Sequence, residues 1–120
     1  MELLLIMIFL HIVDDYYLQG WLSSAKQKSW WEKNAPQELY GYDYLWALIM
    51  HSFSWTFMIM LPIMYILKFK LSLSFYIAFA LNVVGHGRVD DLKANKKKIN
   101  LIQDQIIHII QIIATWAIFV

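Results

Sequence analysis

YLWALIMHSFSWTFMIMLPIMYIL, Tyr44 to Leu67, decides the fold. It runs for twenty-four residues without a charge, and its polar members are only His51, two serines and a threonine. A membrane-crossing helix needs about 20 predominantly apolar residues, so this stretch reads as a span. Asp43 stands before it as the expected N-cap, and Pro62 inside it is tolerated because membrane helices accommodate a proline kink.

The rest of the chain has the same character. Of its 120 residues, 60% are apolar and only 16% charged, against about a quarter charged in an ordinary soluble domain. The mean hydropathy is +0.49. So short a chain has no interior large enough to hide that much apolar surface from water, so lipid must cover much of it. Cysteine is absent, which excludes disulfides, thiolate metal sites and cysteine nucleophiles. A net charge of +1 gives no argument for nucleic acid.

Three further apolar segments flank the first, and the expected fold is an all-α bundle of four transmembrane helices forming a single domain over 1–120. The helices are expected at about 3–19, 44–67, 71–87 and 99–120. The apolar start carries Glu2 where a signal peptide would be basic, and no small-residue cleavage site follows, so it reads as a retained first helix. Between the first two helices lie Trp21, Trp30, Trp31, Tyr40, Tyr42 and Tyr44 among lysines and glutamates. That composition suits a short connection lying at a membrane interface. Lys68 and Lys70 mark a tight turn, and Arg88 to Lys98 is expected to form a basic connection.

Lysine and arginine in short loops stay on the cytoplasmic side. The first and third connections hold Lys26, Lys28, Lys33, Arg88, Lys93 and Lys96 to Lys98, whereas the second holds only Lys68 and Lys70. Both termini are therefore expected to face outward. Lys96 to Lys98 read first as this topology signal, and second as a positive patch for an anionic lipid headgroup.

Ionisable residues inside membrane helices are costly and mark function. Here His11, Asp15 and Gln19 stand at i, i+4, i+8 on the first helix, and Asn82, His86 and Asp90 repeat that spacing on the third, with Lys93 one turn further. Asp104, His108 and Gln111 form a stripe on the fourth, and the second helix contributes His51 and Ser54. Given the topology, all four groups converge at one depth near the cytoplasmic face. Imidazole with carboxylate on facing helices is how bundles build metal sites, and nitrogen and oxygen ligands without sulfur suit Zn, Mn or Fe better than Mg.

The expected metal ligands are His11, Asp15, His51, His86, Asp90, Asp104 and His108. Asp15, Asp90, Lys93 and Asp104 are the expected catalytic groups. Gln19, Gln105 and Gln111 read as supporting or packing residues, Asp14 and Asp91 as solvated interfacial charges, and Gly85 and Gly87 as points of close helix packing. The rival reading is an interhelical network of ion pairs and hydrogen bonds without metal.

The stretches HIVDDYYLQ with Lys26 and Lys28, then His51, HGRVDDLK and DQIIH resemble the small bacterial and phage membrane proteins catalogued as domain of unknown function 3307. The recurring positions of that family fall on His11, Asp15, Gln19, Lys26, His51, His86, Asp90, Lys93, Asp104, Gln105 and His108, covering nearly the whole chain in order. Gly87 and Arg88 depart from its bulky apolar pair. The resemblance implies a four-helix protein of the bacterial inner membrane with His and Asp facing inward, and it brings no established activity.

The leading functional expectation is a membrane-embedded metal-dependent hydrolase acting on a phosphoester or lipid-linked substrate from the cytoplasmic leaflet, with Lys93 offsetting developing negative charge. The alternative is a non-enzymatic membrane protein that conducts or senses a metal or proton, or binds another membrane protein and alters a host envelope. Membrane lipids are the expected partners, and a homo-oligomer or a second membrane protein remains open. The outer halves, including Leu61 to Leu67 and Ala117 to Val120, carry almost nothing polar, which favours a one-sided site over a pore.

Overall fold

In the computed structural model, which describes every residue from Met1 to Val120, the first apolar segment forms α1, Glu2–Val13. It continues through one wider π-helical turn, Asp14–Leu18, and Gly20 at φ 55° then reverses the chain. Such turns insert an extra residue and re-aim the side chains around it. Here the result is that the neighbours Asp14 and Asp15 both turn inward. The connection folds into two short helices, α2 (Leu22–Ala25) and α3 (Lys28–Asn34), and a 3-10 turn at Glu38–Tyr40.

The deciding stretch is α4, Asp43–Ile66, with Pro62 inside it. Asp43 is not its N-cap: that position is held by Tyr42 with no side-chain capping bond, and Asp43 sits in the first turn, where a carboxylate still favours the helix dipole. Lys68 and Phe69, both at positive φ, make the tight turn. Ser72 then accepts from the Phe75 amide and starts α5, Leu73–Ala94.

The third helix runs almost two turns past the expected stop at Gly87. Nothing from Arg88 to Ala94 breaks a helix, and Asp90 and Lys93 need that helix to keep the face set by Asn82 and His86. The basic connection shrinks accordingly to 95–100. Asn100 and Gln103 then form a reciprocal capping box that fixes the start of α6, Leu101–Phe119.

One core joins the four long helices: Met7 of α1, Trp55, Ile59, Met60, Ile63 and Met64 of α4, Phe75 and Ala78 of α5, and Ile112 of α6. Outside it the usual polarity of a protein is reversed. Leu5 and Phe9, Ile49 and Phe53, Ile77 and Leu81, Ile106 and Ile110 are all exposed, while His11, His51, His86, His108, Asp14, Asp90 and Asp104 are buried.

Two stretches, Glu38–Ile66 and Leu101–Phe119, are long and apolar enough to cross a membrane. α1 is shorter because the wide turn interrupts it, and α5 carries Arg88, Asp90, Asp91 and Lys93 in its last two turns.

Candidate metal centre

The turn after α1 supplies Asp15, α4 supplies His51, α5 supplies His86 and Asp90, and α6 supplies Asp104 and His108. The Nε2 atoms of His51 and His86 lie 3.1 Å apart. His51 Nε2 is 3.1 Å from Asp15 Oδ1 and 3.3 Å from Asp90 Oδ2. His86 Nε2 is 3.4 Å from Asp90 Oδ2 and 3.9 Å from Asp15 Oδ1. Tetrahedral coordination with bonds of about 2.0–2.1 Å requires donors about 3.3 Å apart. The five contacts among these atoms run from 3.1 to 3.9 Å; the ligand atoms of Asp15, His51 and His86 all lie within 4.8 Å of one another, while Asp90 groups with His86 and His108.

A second set adjoins it. His108 Nε2 lies 3.3 Å from Asp90 Oδ1 and 3.2 Å from Asp104 Oδ1. Asp15, Asp104 and His108 can also offer one ligand atom each within 4.8 Å of one another, as can His86, Asp90 and His108. Both Asp15 Oδ1 and Asp104 Oδ1 are buried without a hydrogen-bond partner, close to imidazole nitrogens but not aligned with an N–H. An unsatisfied buried acceptor costs about 1–3 kcal/mol. A cation between them would remove that cost.

Two hydrogen-bond chains decide which lone pairs point inward. In the first, the indole of Trp55 can only donate, so its 2.7 Å contact makes His11 Nδ1 an acceptor. His11 Nε2 then carries the proton and donates to Gln105 Oε1 at 2.9 Å. The amide nitrogen of Gln105 in turn donates to Asp15 Oδ2 at 3.2 Å and Asp104 Oδ2 at 2.9 Å. Both nitrogens of His11 are thereby occupied.

In the second chain, the Thr115 hydroxyl donates to the backbone oxygen of Gln111 and accepts from Asn82 Nδ2. Asn82 Oδ1 is then free to accept from Gln111 Nε2, which turns Gln111 Oε1 toward His108 Nδ1 at 3.1 Å. Nδ1 is the donor of that ring, so the lone pair of Nε2 faces Asp90 and Asp104. Trp55 stacks on His86 at 4.2 Å and His86 on His108 at 4.0 Å, which fixes the planes of both imidazoles.

One further charge at the centre comes from a residue that spacing alone does not reveal. Lys26, at the end of α2, is buried, and its Nζ donates to Asp90 Oδ2 at 2.8 Å. Asn95 holds that loop by donating to the Lys26 carbonyl and accepting from the Lys28 amide, and Trp31 donates to the Ala25 carbonyl. Lys93, the expected charge-offsetting residue, lies at the rim, 3.9 Å from Asp104 Oδ2 with its side chain a third exposed.

No known protein family, curated protein or solved structure matches the chain. What the centre does is therefore read from its own residues.

Of the seven expected ligands, the structure brings Asp15, His51, His86, Asp90, Asp104 and His108 together. His11 stands outside, because Trp55 and Gln105 engage both its nitrogens. Asp14 is not a solvated charge. It is buried, accepts from Ser54 Oγ at 2.6 Å, and faces His51 Nδ1 at 3.8 Å, behind the ring. Gln19 turns back to the Asp15 carbonyl and takes no part. Asp91 pairs with Asn95 and with Lys96 near the surface.

Proposed function

We propose that the chain is a four-span membrane protein with both termini outward, whose buried His and Asp centre near the cytoplasmic face holds divalent metal and serves hydrolysis of a phosphoester or lipid-linked substrate. The observation that carries the reading is the convergence of the Nε2 atoms of His51, His86 and His108 on oxygens of Asp15, Asp90 and Asp104 at 3.1–3.4 Å, inside a bundle whose outer faces are apolar. Acceptors do not crowd together away from water unless a cation joins them.

Zn, Mn or Fe suits this donor set of nitrogen and oxygen without sulfur. A bound ion there supplies Lewis acidity and an acidified water. The protein's own part is to hold the donors rigid through Gln105 and Gln111, to place the Lys26 ammonium beside Asp90, and to offer Lys93 at the rim toward an anionic group. α1 and α5 fall short as isolated apolar spans, but their exposed faces, Leu5 and Phe9, Ile77 and Leu81, match those of α4 and α6. Packed into the bundle, their polar sides never meet lipid.

One observation favours the non-enzymatic alternative, a membrane protein that binds or senses metal without turnover. Every side chain of the six-residue set is less than a tenth exposed, and Lys26 covers the side toward α2. Substrate entry thus requires the α2 segment to move. The two readings separate by assay: metal-loaded protein in detergent or vesicles is offered a chromogenic phosphodiester and phospholipid, and turnover abolished by Asp104→Asn supports the hydrolase. Metal bound at full occupancy without turnover of any phosphoester supports the alternative.

A further inference from the structure

We infer that the centre holds two divalent ions rather than one, joined by the carboxylate of Asp90. This rests on the metal reading above and goes beyond it in stoichiometry and in the role of a single residue. Asp90 lies between the two donor sets with one oxygen in each. Its Oδ2 faces His51 and His86 at 3.3 and 3.4 Å, and its Oδ1 faces His108 at 3.3 Å. One ion placed among His51, His86 and Asp15, whose ligand atoms all lie within 4.8 Å of one another, has Asp90 Oδ2 beside both imidazoles as its fourth donor.

That first ion leaves His108 Nε2 with Asp104 Oδ1 at 3.2 Å on one side and Asp90 Oδ1 at 3.3 Å on the other. Asp104 Oδ1 is among the buried atoms with no hydrogen bond. Three protein donors with a fourth position open is the arrangement of a catalytic rather than a structural ion. Bridged pairs lie about 3.5–4 Å apart, a distance that a single carboxylate spans.

Charge among the buried groups points the same way. Asp14, Asp15, Asp90 and Asp104 face one buried lysine, Lys26. With these carboxylates ionised and the imidazoles neutral, one divalent ion leaves an excess negative charge at the centre. Two leave a single excess positive charge, the complement of one hydroxide or one phosphate oxygen. Lys93 stands at the wet rim, where water screens it.

The test uses the full chain in detergent, stripped with chelator, reloaded with Mn(II) alone, and measured for manganese per chain and for its low-temperature electron paramagnetic resonance. Two ions per chain with an exchange-coupled multiline spectrum are expected. His51→Ala and Asp104→Asn, checked for unchanged helix content by circular dichroism, are each expected to retain one ion and give an uncoupled six-line spectrum.

One ion per chain in the unaltered protein overturns the two-ion inference while leaving a metal centre in place; none overturns both. Two ions without coupling overturn the shared carboxylate. Loss of both ions from a folded Asp104→Asn variant overturns the division into two half-sites.

Discussion

Lys26 Nζ sits 2.8 Å from Asp90 Oδ2, joining the short α2 segment to the centre of the bundle, and both side chains are buried. Removing one partner of a buried pair strands the other charge, at a cost of about 3–5 kcal/mol. Lys26→Met is therefore expected to lower thermal stability by several degrees in chelator, with most of the loss recovered in zinc, because the metal takes over the neutralisation of Asp90. Thermal unfolding followed by circular dichroism with and without zinc checks this. Equal melting of Lys26→Met and the unaltered protein in chelator would show that the pair carries no such energy.

Trp55 acts on the centre through His11 and Gln105. Trp55→Phe keeps an aromatic ring against His86 but removes the donor to His11 Nδ1. Partners behind metal ligands typically contribute 10- to 100-fold in affinity, so zinc binding is expected to weaken by about that factor while helix content holds. Competition against a chromogenic chelator measures it. Unchanged affinity would mean that the chain from Trp55 to the carboxylates has no hold on their orientation.

Gly85 separates stability from binding. A Cβ there would lie 2.9 Å from Gln111 Nε2, pushing the amide that orients His108. Alanine is favoured over glycine in a helix by up to about 1 kcal/mol, which offsets part of the steric cost. Gly85→Ala is expected to melt close to the unaltered protein yet bind zinc several-fold more weakly. A variant that loses stability and binding in proportion would point to general disruption.

Much of this was legible in the chain because a helix converts spacing into direction. His86 and Asp90, and Asp104 and His108, each at i, i+4, do arrive on one face and meet across α5 and α6. His11 and Asp15 share that spacing, yet the wide turn at Asp14–Leu18 breaks the register, so His11 supports the centre while Asp14 turns inward. No sequence periodicity announces a π turn.

Lys26 is tied to these positions only through the resemblance, and spacing cannot place it at the centre, because its position depends on Asn95 closing a loop from a distant segment. The expected start of the last helix at about 99 passed over Asn100 and Gln103, whose capping box sets the start of α6 at Leu101, a signal that hydropathy alone does not show.

The orientation argued from lysine and arginine predicts that reporter fusions at both chain ends are outward and that a cysteine placed at Ser24 reacts only with reagents that reach the cytoplasm. Both ends inward would invert the orientation and move the centre to the opposite face, and ends on opposite sides would refute the four-span topology.

The most direct measurement is X-ray absorption at the zinc edge of the purified protein after incubation with zinc at about pH 7.5, where the imidazole and carboxylate ligands compete well with protons. The account predicts bound zinc with nitrogen and oxygen neighbours only, at about 2.0–2.1 Å, and outer-shell scattering from imidazole that diminishes in His86→Ala. Protein that retains no zinc, manganese or iron under these conditions, with Asp15, Asp90 and Asp104 hydrogen-bonded to histidines instead, would contradict it.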